Sequence, residues 1–218
     1  MCGRFVQKSS ANQMQSFFSI KGPVPNFGPR YNVAPTQDAA VVLAEDATTR
    51  RLALKKWGLI PPWSKEGKAS YATFNARAES VREKPSYAQP FAKRRCIVPA
   101  DGFYEWTGPK GAKIPHLFER QDGALLALAG LHESWRARDG SETIQSFTIV
   151  VTAANGWMSR FHDRMPVILE EAEQETWLTG SAEAATALLK APGEDVLKER
   201  IVSTLVNSVK NEGPELIA

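Results

Sequence analysis

The spacing of apolar positions changes along the chain, and each change marks an element. In residues 10–20, Met14, Phe17 and Phe18 recur at helical spacing and predict a short amphipathic helix. Pro23, Pro25, Pro29 and Pro35 interrupt residues 21–36, so an ordered loop without regular structure is expected there. Apolar, β-branched runs predict strands at 39–44, 51–57, 96–99, 124–131 and 146–152. Helical periodicity returns at 170–178 and 182–189. Strands spread over the whole length with irregular connections favour one α+β domain, residues 1–218, around a curved antiparallel or mixed sheet. Residues 211–218 read as a loose tail.

Composition narrows the class without naming a chemistry. Of 218 residues, 43% are hydrophobic and 23% charged, as in an ordinary soluble globular protein. No apolar run approaches the length of a membrane span, and the first residues lack the pattern of a secretory signal. A cytoplasmic protein without membrane contact is expected. The net charge of +3 permits a polyanionic partner but does not require one. With only Cys2 and Cys96 there is no disulfide framework, and no CxxC or histidine-rich spacing suggests a metal. Neither metal nor cofactor is expected.

The position of Cys2 does suggest a chemistry. A methionine followed by a small residue is readily removed, and the mature chain would then begin with an amine and a thiol on one residue. Such an amine titrates at about 7.7–8.0 and an unperturbed thiol near ~8.5. An aldehyde could condense with this 1,2-aminothiol to an imine, which the sulfur closes to a thiazolidine. The bland alternative is a small buried hydrophobe.

Other clusters admit two readings as well. In an extended chain Asn75, Arg77 and Glu79 share one face, either as a solvated edge or as a polar site. After a turn at 99–102, Glu105 stands between Tyr104 and Trp106. It is either a half-buried carboxyl suited to acid–base work or the wet face of a strand. His162 sits in a basic segment with Arg160 and Arg164, whereas His116 and His132 have no comparable company. Around Trp57 and Trp63, lysines and prolines interleave with aromatics as a base-stacking loop would; Trp57 is expected in the core and Trp63 in the open.

Taken together these motifs resemble the SRAP (SOS response-associated peptidase) family, whose members process abasic sites. The matching blocks are Met1-Cys2-Gly3-Arg4-Phe5, Tyr31-Asn32-Val33-Ala34-Pro35-Thr36, Trp57-Gly58-Leu59-Ile60-Pro61 and Asn75-Ala76-Arg77-Ala78-Glu79. They continue with residues 95–106, His162-Asp163-Arg164-Met165-Pro166 and Val206-Asn207, in family order over nearly the whole chain. One departure is His132, where the family often has tryptophan; the position reads as core or rim.

The resemblance implies a barrel-like, mainly antiparallel core with peripheral helices, and a covalent reaction with abasic sites in single-stranded DNA. Cys2 would supply the amine and the thiol, Asn75 would hold the terminal residue or the opened sugar, Glu105 would shuttle protons, and His162 would help open the sugar. Arg4, Arg77 and Arg164 would grip phosphates, with Trp63, Pro35 and Trp106 completing the DNA-contacting set. It further implies peptidase-like loss of Met1, a lyase side reaction through β-elimination, and a monomer that acts at damaged DNA. Two rivals share some of these residues: an N-terminal-nucleophile amidohydrolase using the Cys2 thiol, and a non-covalent single-strand binding module.

Overall fold

The computed structural model describes residues 2–46, 48–69 and 72–218. Met1, whose removal the sequence predicts, lies outside them. The elements follow in chain order as β1 (Phe5–Gln7), α1 (Ala11–Phe17), β2 (Arg30–Val33), β3 (Asp38–Ala44), β4 (Arg50–Trp57), β5 (Asn75–Arg77), α2 (Pro85–Lys93) and β6 (Arg95–Ala100). Then come β7 (Gly102–Thr107), β8 (Ile114–Arg120), β9 (Leu126–Arg136), β10 (Thr143–Ala153), β11 (Arg164–Pro166), α3 (Glu171–Thr179), α4 (Ala182–Thr186) and β12 (Leu197–Ile201).

Strands β3, β4, β10, β9 and β6 pair in that order, and β6 returns to β3, so the sheet closes into a five-stranded barrel. Closure leaves these strands without free edges. Four of the five pairings are antiparallel and β4–β10 is parallel. The short β5 and β11 extend along β10, parallel and antiparallel respectively. A second, wholly antiparallel sheet runs in the order β12-β8-β7-β1-β2.

Strands β3 and β6 and the second half of β10 bury both faces, which is why they read as continuous apolar runs, whereas β4 leaves Arg51 and Leu54 exposed. On β3, Ala39, Val41 and Leu43 join a cluster with Trp57, Cys96, Val98, Phe147 and Ile149. The alternate residues Ala40 and Val42 pack with Ile97, Leu131 and Val150 beneath Met14, Phe18, Phe91 and Trp177 of the helical layer. The first cluster reaches into the second sheet through Phe5, Phe103 and Phe118, and it contains Cys2. The two sheets thus share a core, and the start of the chain lies in it.

Several expectations need correcting. Arg30–Val33 is a strand within the proline-rich segment, because its four residues lie between Pro29 and Pro35 and contain no proline. Helix α1 ends at Phe17, which is 40% exposed, while Met14 and Phe18 fill the core. The helix expected at 182–189 stops at Thr186. Helix α2 was not evident from periodicity, because Pro85 opens it and Pro90 lies within it. The segment expected as a loose tail is tied down: Pro214–Ile217 form a 3₁₀ turn with Leu216 fully buried. Glu212 also pairs with Arg30 at 2.8 Å. No helix among the described residues is long and apolar enough to cross a membrane.

Candidate active site

Strand β1 lies between β2 and β7, with Phe5 opposite Phe103. Tyr104 donates its backbone N–H to the carbonyl of Arg4 at 3.0 Å, so the antiparallel run continues back toward Cys2 alongside Glu105. Cys2 has 0% exposure, and the Arg4 backbone N–H hydrogen-bonds its sulfur. Burial drives the thiol well above its ordinary range, and the nearby Glu105 charge adds to the effect.

Glu105 is only 4% exposed, and its carboxyl is raised from an ordinary 4.5 to about 7, chiefly by burial, with Asp163 contributing in the same direction. The reading of Glu105 as a wet strand position is therefore overturned. Its neighbours in sequence do not bury it. Tyr104 and Trp106 point to the other face of β7, where they pack with Val6, Leu117 and Val206. Glu105 instead faces the side that carries Phe5, Phe103 and Phe118.

His162 follows the 3₁₀ turn Met158–Arg160, which is anchored by buried Met158, whose N–H donates to Asn155 Oδ1 at 2.8 Å. Phe161 and Trp157 pack their rings on Phe118 of β8, so this turn docks against the second sheet. The imidazole Nδ1 lies 2.9 Å from the Arg164 N–H, from which it accepts when the ring proton is on Nε2. Asp163 Oδ1 lies 2.7 Å from the same nitrogen. Partial burial, the largest influence, nevertheless holds the His162 pKa below its ordinary value.

Asn75 starts β5 opposite Ile149, and its Nδ2 donates to the Phe74 carbonyl at 2.9 Å. Its Oδ1 is buried and has no hydrogen-bond donor among the described residues, an arrangement that fits an acceptor waiting for a ligand. The strand ends at Arg77, and the chain turns into the 3₁₀ segment Ala78–Ser80, so Glu79 does not continue the face of Asn75 and Arg77.

The three arginines differ in their commitments. Arg164 grips Glu79 through two bonds of 2.8 and 2.6 Å. Arg4 donates to Asn32 Oδ1 at 2.6 Å and to the Val206 carbonyl at 2.9 Å, and its guanidinium lies 5.4 Å from the Trp106 ring centre. Arg77 is exposed, and its guanidinium makes no hydrogen bond among the described residues. Trp106 donates to Asn207 Oδ1 at 2.6 Å. Arg4, Trp106, Lys113 and Asn207 line an open cavity of about 430 Å³. Trp63 is 59% exposed and lines another cavity with Pro61, Lys65 and Lys68, whereas Trp57 is fully buried, both as expected. Pro35 is half-buried, and the next residue, Thr36, adopts the left-handed backbone with φ 77°.

Some supporting residues were given no role from the sequence. Buried Asn32 donates to the carbonyls of Ser208 and Asn211 while accepting from Arg4, and so ties the end of the chain to the arginine beside Cys2. His132 is pushed down to about 3 by burial and by Lys55, Arg94 and Arg51, and it is a neutral residue between core and rim. His116, which has no ionisable neighbour in sequence, meets Thr107 and Glu199 across strands.

Comparison with known proteins supplies the wider context. A protein from Bacillus subtilis named abasic site processing protein YoqW is 41% identical over 224 residues, covering 100% of this chain and 99% of that protein. The abasic site processing protein HMCES of Xenopus tropicalis is 34% identical over 90% of this chain and 68% of its own length. A crystal structure of a Bacteroides thetaiotaomicron protein superposes with a TM-score of 0.87 at 26% identity, covering 99% of this chain and 98% of that one. Residues 1–209 match the family model described as SOS response associated peptidase (SRAP), and the chain belongs to that family.

Proposed function

We propose that this protein processes abasic sites in single-stranded DNA by forming a covalent thiazolidine crosslink through Cys2. One observation carries the reading: the fully buried Cys2 shares its pocket with a carboxyl held at about 7. A group with that affinity for protons can act as acid and as base at neutral pH. The names of the relatives, abasic site processing proteins, support the substrate class.

The proposed sequence begins when loss of Met1 exposes the Cys2 amine. His162 assists opening of the abasic sugar to the aldehyde by proton transfer at the ring oxygen or the hydroxyl. The amine enters as an ammonium and passes a proton to the Glu105 carboxylate, and its nitrogen then attacks C1′ to give a carbinolamine. Glu105 returns that proton to the departing hydroxyl, water leaves and an iminium forms. The Cys2 thiol then gives its proton to Glu105 and the sulfur bonds to C1′, closing the ring. Burial that disfavours the free thiolate suits this order, with the amine acting first and the sulfur second. It also weighs against an amidohydrolase that must begin from a thiolate.

Asn75 Oδ1 accepts from the amine or from the opened sugar. Arg77 meets a flanking phosphate directly. Arg4 contributes from beside Trp106, and Arg164 exchanges or shares its bond to Glu79. Trp63, Pro35 and Trp106 offer surfaces for bases or for wedging the strand. Ring closure removes the imine that would otherwise acidify C2′ and lead to strand cleavage, so lyase activity is the minor path. The working form is a monomer in the cytoplasm, associated with DNA at damage.

Intact mass of the purified protein, alone and after incubation with single-stranded DNA bearing one abasic site, tests the proposal. The expected result is a chain lacking Met1 that gains the mass of the DNA less one water. A DNA-reactive preparation that keeps Met1, or one lacking Met1 that forms no adduct, would overturn it.

A further inference from the structure

Each crosslink formed from an ammonium, a thiol and an aldehyde yields a thiazolidine, a water and one proton. In the sequence proposed above that proton ends on Glu105, in a buried position that bound DNA would cover further. Reversal needs the same proton back. Some route between Glu105 and water is therefore required, and this inference rests on the crosslinking reading.

We infer that Thr107, His116 and Glu199 form that route. His116 stands directly opposite Glu105 across the β7–β8 pairing, on the same face of the sheet. Cross-strand neighbours of this kind have Cβ atoms about 4.5–5.5 Å apart, a span that one water can bridge between the two side chains. Thr107 lies one pleat further along β7, and its hydroxyl is 2.7 Å from His116 Nε2. On the other side of the ring, Nδ1 is 2.5 Å from Glu199 Oε1. Glu199 belongs to β12, the edge strand of the sheet, and its side chain is partly open to solvent. His116 itself is buried, with the Phe161 ring edge-on at 5.1 Å. The ionisable groups around it are Glu105 on β7, Glu199 on β12, and Arg160, His162 and Asp163 on the turn that carries Phe161.

The proton arithmetic closes over one cycle. The neutral ring donates Nδ1–H to the Glu199 carboxylate and accepts the Thr107 hydroxyl proton at Nε2. A proton leaving Glu105 enters at Nε2, through the threonine hydroxyl or directly. The Nδ1 proton moves to Glu199 and on to water. The ring is left as the other tautomer, and the inward proton of the reversal step restores it. His116 and Glu199 are thus positioning and exchange residues that serve Glu105 without touching the DNA.

The test measures single-turnover crosslinking and reversal for the wild type, His116→Phe, His116→Ala and Glu199→Gln, each from pH 5.5 to 8.5 and with added imidazole. His116→Phe keeps a ring against Phe161. It is expected to slow both directions by roughly tenfold or more, short of the 10²–10⁴ that a directly acting proton-transfer group contributes. Non-covalent binding of intact single-stranded DNA should stay unchanged. Rates of His116→Ala should rise with imidazole concentration, while wild-type rates should not. Glu199→Gln, at the partly exposed edge, should lose rate without losing the fold. Unchanged rates in Glu199→Gln and a histidine variant, or equal losses at every pH that imidazole does not rescue, would overturn the route. A wild type that forms no adduct would instead refute the crosslinking reading, and the route with it.

Discussion

Glu105→Gln separates the energetic consequence of burial from its chemical one. Moving a carboxyl from 4.5 to about 7 corresponds to roughly 3 kcal/mol of differential interaction between its two protonation states. Because the folded value lies above the unfolded one, the folded chain binds this proton more tightly. The associated stability is fully present below about 4.5 and is lost as pH rises through about 7. Glutamine has nothing to titrate. The variant should therefore gain roughly 3 kcal/mol on the wild type between about pH 4 and pH 8, relative to their difference at low pH. Urea unfolding of both proteins at half-unit steps from pH 4 to 9 gives the difference curve, in which titrations common to both cancel. A flat difference would refute the assignment of Glu105 as a buried, proton-holding carboxyl. The same preparation should crosslink abasic DNA about 10²- to 10⁴-fold more slowly and lose the inflection near neutrality.

Cys2→Ala keeps an α-amine but no sulfur: no heat-stable adduct is expected, whereas borohydride should still trap an imine, and a stable adduct would remove the thiazolidine. Arg77→Ala should weaken single-strand binding uniformly across sequences and reduce the slope of log affinity against log salt by about 0.7, as expected for one lost phosphate contact; titration of binding at several salt concentrations reads this. Leu216→Ala should destabilise the fold by about 2–5 kcal/mol in denaturant titrations, since the side chain is fully buried, and a loss within error would mean that the last turn is not part of the core.

How far the chain is legible depends on the range of the forces involved. Strands 39–44 and 146–152 could be read directly because both of their faces are buried, and local apolar density is then a sufficient signal. Strands β1, β5, β11 and β12 are three to five residues long and take their stability from partners far along the chain, so no window of sequence contains their cause. The tail had a polar, Pro- and Gly-containing appearance, yet Asn32 and Leu216 fix it through contacts almost two hundred residues apart.

For the site, the sequence by itself determined which side chains are available: a cysteine at position 2, and Asn75, Glu105 and His162 in blocks that resemble one family. It left open whether Glu105 is buried, and the flanking aromatics it offered as the cause are not the cause. Adjacent strand residues point to opposite faces, so Tyr104 and Trp106 cannot shelter the residue between them. Only the tertiary structure decided what Glu105 faces, because the cross-strand register sets His116 opposite it and the start of the chain brings the Cys2 thiol within range of its charge. The same register makes a partnered residue of a histidine that looked isolated. Proton affinities in this pocket follow from desolvation and neighbouring charge, and both are set by packing between segments distant in sequence.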